Sequence, residues 1–299
     1  MERQSVEIYE VGPRDGFQNL KEYIPMEDKL HYIGGLIEAG VKHIQITSFV
    51  SPRAIPQMMD ARELAGECLA RYPETDLFSL VPNLFGAKSA WESGIKKTSY
   101  VISLSESHNK ANINRTREQS LEELWRIREF LPELTVISDI ATAFACPFEG
   151  VMELDNLLEL IRKINLLGIN EFVLCDTIGM AHPAQVREYV KAAMREFPGC
   201  RFQVHIHDTR NMGIVNTLAA IECGVEGVQT TLGGLGGCPF APGASGNTST
   251  EDLVYMLNKM GYDTGIDFNR LLALAKEEYA SIRGAYSGHH INIGSQCAV

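Results

Sequence analysis

The chain has no excess of basic residues, no paired cysteines and no long apolar run, and each absence closes off a class of function. Its 299 residues carry a net charge of −11, so a basic stripe for nucleic acid is missing and the acidity serves mainly solubility. No apolar stretch approaches the roughly 18 residues of a membrane span. Residues 1–5 lead straight into a strand-like segment, so no signal or transit segment is expected. The seven cysteines are odd in number, widely spread and without a CxxC pair, which fits a reducing cytosol better than a disulfide framework. A cytoplasmic protein with neither a nucleic-acid nor a membrane partner is therefore expected. Linkers, low-complexity segments and short repeats are missing too. What is there is an ordinary globular composition in a chain long enough to bury a large core.

Strand-like and helix-like segments alternate almost without interruption. Short, β-branched, mostly apolar runs at 6–11, 43–47, 77–81, 98–103, 134–138, 171–175, 201–207 and 227–231 suit a parallel sheet covered on both faces. Apolar residues at helical spacing occupy 26–39, 121–131, 152–167, 183–197 and 211–223, with Ser120 read as the N-cap of the second of these. Gly40, Gly94, Gly168 and Gly224 read as helix C-terminal glycines leading into the next strand. Eight βα units predict a (β/α)8 TIM barrel of the α/β class, one domain over 1–299 with 267–299 as a helical extension and tail. An open doubly wound sheet is the alternative, and a count of eight without a reversal favours the barrel. Cys175, in an apolar strand, and Cys223, after a helical run, read as buried thiols.

A barrel places its chemistry just beyond the C-terminal ends of the strands. Arg14-Asp15 follows the first strand between Pro13 and Gly16, and Asp176-Thr177 follows the sixth. His205 and His207, two apart on the seventh strand, point to one side of the sheet. Such a pair is a common start of a metal site, and it also fits two structural histidines. Asp15 and Asn247 belong to the same rim, which gives two nitrogens and two or more oxygens. That mixture suits Mg²⁺ or Mn²⁺, and Zn²⁺ also fits. A fixed Arg14 guanidinium beside the Asp15 carboxylate could stabilise an oxyanion; a surface ion pair is the plainer reading. Asp176 is either the anchor of its own βα turn or a group that holds a metal-bound histidine. Glu10, Lys21, His108 and the pair His289-His290 read as solvated polar positions. The eighth strand flows into Gly236-Gly237-Cys238-Pro239-Phe240-Ala241-Pro242-Gly243-Ala244-Ser245-Gly246-Asn247. This loop is too rich in glycine and proline to be helix or strand, and packing gives no reason for its thiol.

At this point the chain resembles the 3-hydroxy-3-methylglutaryl-CoA lyase family, within the metal-dependent TIM-barrel lyases and acyl-transfer synthases. The resemblance spans nearly the whole chain. Its carriers include Val11-Gly12-Pro13-Arg14-Asp15-Gly16-Phe17-Gln18-Asn19, Thr47-Ser48-Phe49-Val50-Ser51-Pro52, Cys146-Pro147-Phe148-Glu149-Gly150, Asp176-Thr177-Ile178-Gly179, His205-Ile206-His207-Asp208-Thr209 and the whole Cys238 loop. It implies a divalent metal on Asp15, His205, His207 and Asn247 and catalytic roles for Arg14 and Cys238, and His205 and Asp176 complete the expected catalytic set. In that set Arg14 stabilises an enolate oxygen and Cys238 transfers a proton from a mobile loop. It also implies an acyl-CoA substrate cleaved to acetyl-CoA and a keto acid, acetoacetate for the parent substrate. Separately from the resemblance, a homodimer is an expected assembly. A lyase for a branched or citramalyl-type CoA ester is the sibling alternative, followed by a condensing synthase. Two positions depart from the family pattern. Gln45 stands where Glu is expected, and Arg210-Asn211 where Tyr-Gly is expected. The first replaces a carboxylate near the metal by an amide, and the second adds a cation to the rim.

Overall fold

The computed structural model describes residues 4–237 and 246–294. Among these residues, the strands of the barrel are β1 (Glu7–Glu10), β2 (His43–Ser48), β3 (Asp76–Leu80), β4 (Lys97–Ser103) and β5 (Thr135–Ala141). A small hairpin of β6 (Ala145–Cys146) and β7 (Gly150–Val151) follows, and then β8 (Glu171–Asp176), β9 (Arg201–Ile206) and β10 (Gly227–Thr230). The barrel runs β1-β10-β9-β8-β5-β4-β3-β2 and closes on β1 through Tyr9 beside His43, all of it parallel. The TIM barrel read from the alternation is therefore the fold, and the doubly wound alternative is set aside.

The helices that sheathe it are α1 (Met26–Glu38), α2 (Ala61–Arg71), α3 (Leu84–Glu92), α4 (Glu106–Ile113), α5 (Arg117–Phe130), α6 (Leu154–Asn165), α7 (Pro183–Glu196), α8 (Gly213–Ile221), α9 (Thr250–Met260) and α10 (Phe268–Ser281). The four predicted C-terminal glycines all have positive φ, from +80° to +101°. At Gly40 the reason is also steric, because a Cβ there would lie 2.5 Å from the Gly265 carbonyl oxygen. The N-cap placed at Ser120 is corrected. Helix α5 starts a turn earlier, with Thr116 and Gln119 forming a reciprocal capping box. Ser120 is buried inside the helix, accepting from Asn109 and donating to the Thr116 carbonyl. Asp267 caps α10 through the amides of Asn269 and Arg270, and this helix lies against α1. None of the helices among the described residues is long and apolar enough to cross a membrane.

Two apolar layers hold the fold. The larger lies between strands and helices, and a small one of Tyr9, Val11, Phe78, Ile137, Val173 and Cys175 fills the barrel. Below it, at the strand N-termini, Asp76 takes His43 at 2.7 Å and Lys97 at 2.8 Å. Above it the inward residues turn polar, and that end holds the site.

Glu10 is corrected from a solvated position to a fully buried one. Strand alternation turns Tyr9 into the barrel and Glu10 outward, under residues 231–234 and 249–250. There its carboxyl accepts from Gly12 N at 2.8 Å, Leu232 N at 3.0 Å and Thr250 Oγ1 at 2.6 Å. Glu251, accepting from Gly233 N at 2.9 Å, and Glu278 are buried with it. Burial raises all three: Glu10 to about 8, Glu251 to about 7, and Glu278 well above the ordinary range. Their folded pKa values therefore exceed the unfolded ones, so the folded state keeps protons that the unfolded chain releases. Stability falls as pH rises through these values, by about 1.4 kcal/mol per pH unit for each such proton. The buried histidines His108, His205 and His207 are shifted down and act in the opposite sense only below their ordinary value of 6.5. The melting temperature is thus expected to fall from pH 7 to about 8.5, and Glu278→Gln to flatten that decline. A melting temperature that is level or rising across this window would contradict the assignment.

Candidate active site

Arg14 and Asp15 ride on a five-residue π-helical turn, Gly12–Gly16, directly after β1. Such turns are rare and often accompany function. Here the turn brings two adjacent charged side chains into contact over the barrel. Arg14 Nη1 donates to Asp15 Oδ1 at 2.7 Å, and Arg14 Nε donates to Gln45 Oε1. Arg14 is 7% exposed, so the surface ion-pair reading falls away. Gln18 adds a second donor to Asp15 Oδ1 at 3.0 Å.

The two histidines meet Asp15 from β9. His205 Nε2 lies 3.1 Å from His207 Nε2 and 4.0 Å from Asp15 Oδ2. The three residues form the one group of His, Cys and acidic side chains among the described residues with metal-holding spacing. Asn247 lies in the stretch 246–249 that leads into α9. It forms an antiparallel bridge with His207, and its Nδ2 donates to Asp15 Oδ2 at 2.9 Å and to the Leu235 carbonyl at 3.2 Å. Gly246, just before it, packs so closely on Gly234 that a Cβ would sit 1.8 Å from the Gly234 carbonyl oxygen. The two ends of the Cys238 loop are thereby pinned together. Cys238 itself lies outside the described residues.

The electrostatics prepare these groups for a cation. Burial opposes charge on Asp15, and Arg14 together with the two imidazoles outweighs it, holding the carboxyl at about 2. Burial, then His207, pushes His205 down to about 3, and burial also lowers His207. The set is thus a carboxylate and two neutral imidazoles, deprotonated as metal ligands must be. The fit has a second sign. Asn247 Oδ1 is buried with no hydrogen-bond partner among the described residues, because Nδ2 makes both of the amide's contacts. An orphan amide oxygen beside a carboxylate and two imidazoles is a donor set that suits a divalent ion.

The other expected residues divide. The carboxyl of Asp176 accepts from Met180 N at 3.0 Å and Ala181 N at 2.9 Å, so it anchors its own loop. The role of holding a metal-bound histidine is corrected. His205 and Asp176 face opposite sides of the sheet, and only the Asp176 main-chain carbonyl meets His207, accepting from its amide at 3.3 Å. Arg210 donates to the carbonyls of Ile178 and Gly179, bracing that same loop. His108 is buried, with Ser103 Oγ 2.7 Å from its Nδ1. His289 and His290 sit on Asp252, their amides donating at 2.7 and 3.0 Å. Lys21 is exposed as expected. Cys175 is buried as read, and Cys223 is half-buried.

A cavity of about 470 Å³ opens beside these groups, lined by Arg14, Asp15, His205, His207, Asp139 and Cys175 among others. Its size suits a small-molecule site. Two of its walls escaped the sequence reading as site residues. Burial raises the Cys175 thiol well above its ordinary range, which makes it a neutral wall. Asp139 is 3% exposed, and burial raises its carboxyl to about 7 despite Arg14 and Ser99. The signal for it was present: a single acid inside the apolar run of β5, two residues from inward-facing Ile137.

Comparison with known proteins agrees with this geometry. A family profile described as HMGL-like matches residues 5–277. The hydroxymethylglutaryl-CoA lyase YngG of Bacillus subtilis is 40% identical over 275 residues, covering 91% of this chain and 92% of that protein. The mitochondrial hydroxymethylglutaryl-CoA lyase of Gallus gallus is 40% identical over 271 residues, covering 90% and 91%. Among solved structures, an HMG-CoA lyase from Acinetobacter baumannii in complex with coenzyme A and 3-methylmalate superposes with a TM-score of 0.93 at 37% identity, covering 99% of this chain and 97% of that one. The motifs after β1, β8 and β9, the barrel that aligns them and a profile match across residues 5–277 lead to one conclusion: the chain belongs to the HMGL-like family.

Proposed function

We propose that the protein is a divalent-metal-dependent carbon–carbon lyase that cleaves 3-hydroxy-3-methylglutaryl-CoA to acetyl-CoA and acetoacetate. The observation that carries this reading is the buried cluster of Arg14, Asp15, His205, His207 and Asn247 at the cavity, in a chain of the HMGL-like family. Asp15, the two imidazoles and Asn247 Oδ1 would hold the metal, with Mg²⁺ or Mn²⁺ favoured by the oxygen donors. A bound divalent ion supplies Lewis acidity that lowers the pKa of the substrate's tertiary hydroxyl.

The remaining work belongs to side chains. Arg14 stabilises the charge that grows on the thioester oxygen as the C–C bond breaks, and its two fixed hydrogen bonds remove the need to reorganise at that moment. A solvent water takes the hydroxyl proton, the bonding pair becomes the enolate of acetyl-CoA, and Cys238 protonates the enolate carbon. The thiol suits this step because its ordinary pKa of about 8.5 keeps it mostly protonated at neutral pH. Solvent returns a proton to the Cys238 thiolate, so the net transfer is one proton from hydroxyl to carbon. Asp176 and Arg210 act at a distance by bracing the loop after β8.

The test is incubation of the purified protein with hydroxymethylglutaryl-CoA and Mg²⁺ or Mn²⁺, with a citramalyl-type ester in parallel. Acetyl-CoA from the first, lost with EDTA and restored by metal, supports the reading. Acetyl-CoA from the second alone moves the chain to the sibling reaction, and none from either sinks the lyase assignment. Cys238→Ser is expected to lower turnover by about 100-fold or more, the scale of a lost general acid, while metal content stays unchanged. Unchanged turnover would remove this cysteine from the mechanism.

A further inference from the structure

Two inward side chains on two strands join into one polar chain beneath Arg14, and an inward acid stands beside it. Arg14 Nε donates to Gln45 Oε1 on β2, and Gln45 Nε2 donates to Ser99 Oγ on β4 at 2.7 Å. On the neighbouring β5, Ile137 is the register partner of Ser99 and Asp139 follows two residues on, on the same side of the strand, where Ser99 favours its charged form. Gln45 and Ser99 are fully buried and Asp139 nearly so. Asp139 Oδ1 has no hydrogen-bond partner among the described residues, and the residue lines the same cavity as Arg14.

The polarity of this relay has only one solution. Arg14 can only donate, so Gln45 must turn its oxygen toward Arg14 and its NH₂ toward Ser99. Ser99 then accepts through its lone pair, and its single proton must go onward to an acceptor. Asp139, buried on the paired strand with an oxygen that has no partner among the described residues, is the acid placed to accept it. A carboxylate at position 45 would break the order: it would demand the Ser99 proton for itself and leave Asp139 without a donor. It would also place two carboxylates in one buried site, where like charges disfavour each other. The amide at 45 and the acid at 139 are therefore two halves of one arrangement.

We propose that Asp139 is a positioning residue of this site: acting through Ser99 and Gln45 it fixes the Arg14 guanidinium, and it supplies from β5 the carboxyl group that the family pattern puts on β2. The Gln45 departure thus leaves an acid in the wall of the Arg14 cavity and moves its origin. The inference deepens the lyase reading and rests on it for its kinetic part.

The experiment is a double-mutant cycle of wild type, Q45E, D139N and Q45E/D139N, each with its metal, read by kcat, KM and melting temperature. Each single variant is expected to lose about 10-fold or more in kcat with KM within about 3-fold, and the double variant to recover most of that loss, because coupled neighbours do not add. Q45E alone is expected to melt about 4 °C or more below wild type, and the double variant to regain it. Single effects that simply add in the double variant overturn the pairing, as does D139N with unchanged kcat. The melting cycle needs no substrate. If wild type releases no acetyl-CoA, the lyase reading fails, and the pairing still stands or falls on whether D139N rescues the stability of Q45E.

Discussion

Arg14→Gln is expected to lower kcat by about 10²–10³-fold, the scale seen when one preorganised donor to a developing oxyanion is removed. The fold and the bound metal are expected to survive, because the metal-holding atoms belong to Asp15, His205, His207 and Asn247. Glutamine can still donate to Asp15, so the loss isolates the guanidinium charge. Arg14→Lys is expected to recover only a small part of it. A lysine ammonium cannot donate from Nε to Gln45 and from Nη1 to Asp15 at once, which is how Arg14 is held. Steady-state kinetics beside metal analysis checks this. A kcat within about 3-fold of wild type would place the oxyanion-stabilising charge elsewhere.

Asp15→Asn is expected to have an effect of similar size by a different route. The carboxylate makes four contacts or near contacts: Arg14, Gln18 and Asn247 by hydrogen bonds, and His205 at 4.0 Å. Replacing it with an amide removes an anionic ligand and the ion-pair partner of Arg14 in a buried place. Metal affinity is expected to drop by about 100-fold or more, above the 10–100-fold typical of losing an outer-shell partner. Activity should return in part at high metal concentration, unlike that of Arg14→Gln. Since the two side chains touch, the double variant should lose less than the sum of the single losses. Isothermal titration with Mn²⁺ gives the direct reading, and an unchanged affinity would remove Asp15 from the ligand set.

Much of the site was legible before any coordinates. Period-two alternation puts His205 and His207 on one side of their strand, and the barrel rule puts Arg14 and Asp15 on the same rim. The glycines after the helices announce each return to the sheet. Other features were misread for identifiable reasons. Glu10 looked solvated because sequence shows only that alternation turns it away from the barrel, and not that Leu232 and Thr250 cover it. Asp176 looked like a partner for a histidine because both end strands on the same rim, yet its side chain leaves the sheet on the other face and closes its own loop. Asp139 was missed because the strand read at 134–138 stops one residue short of it, whereas β5 runs on to Ala141.

The sequence alone determined the eightfold alternation and the end of the barrel where the chemistry gathers, because helix stops, strand periodicity and strand ends are local properties of the chain. Only the tertiary structure decided which of the gathered residues touch. Asn247 reaches Asp15 while bridged to His207, and Gln45 meets Ser99 between β2 and β4. Those contacts depend on the register and tilt of a closed barrel, quantities set by all eight strands together and by none of them singly.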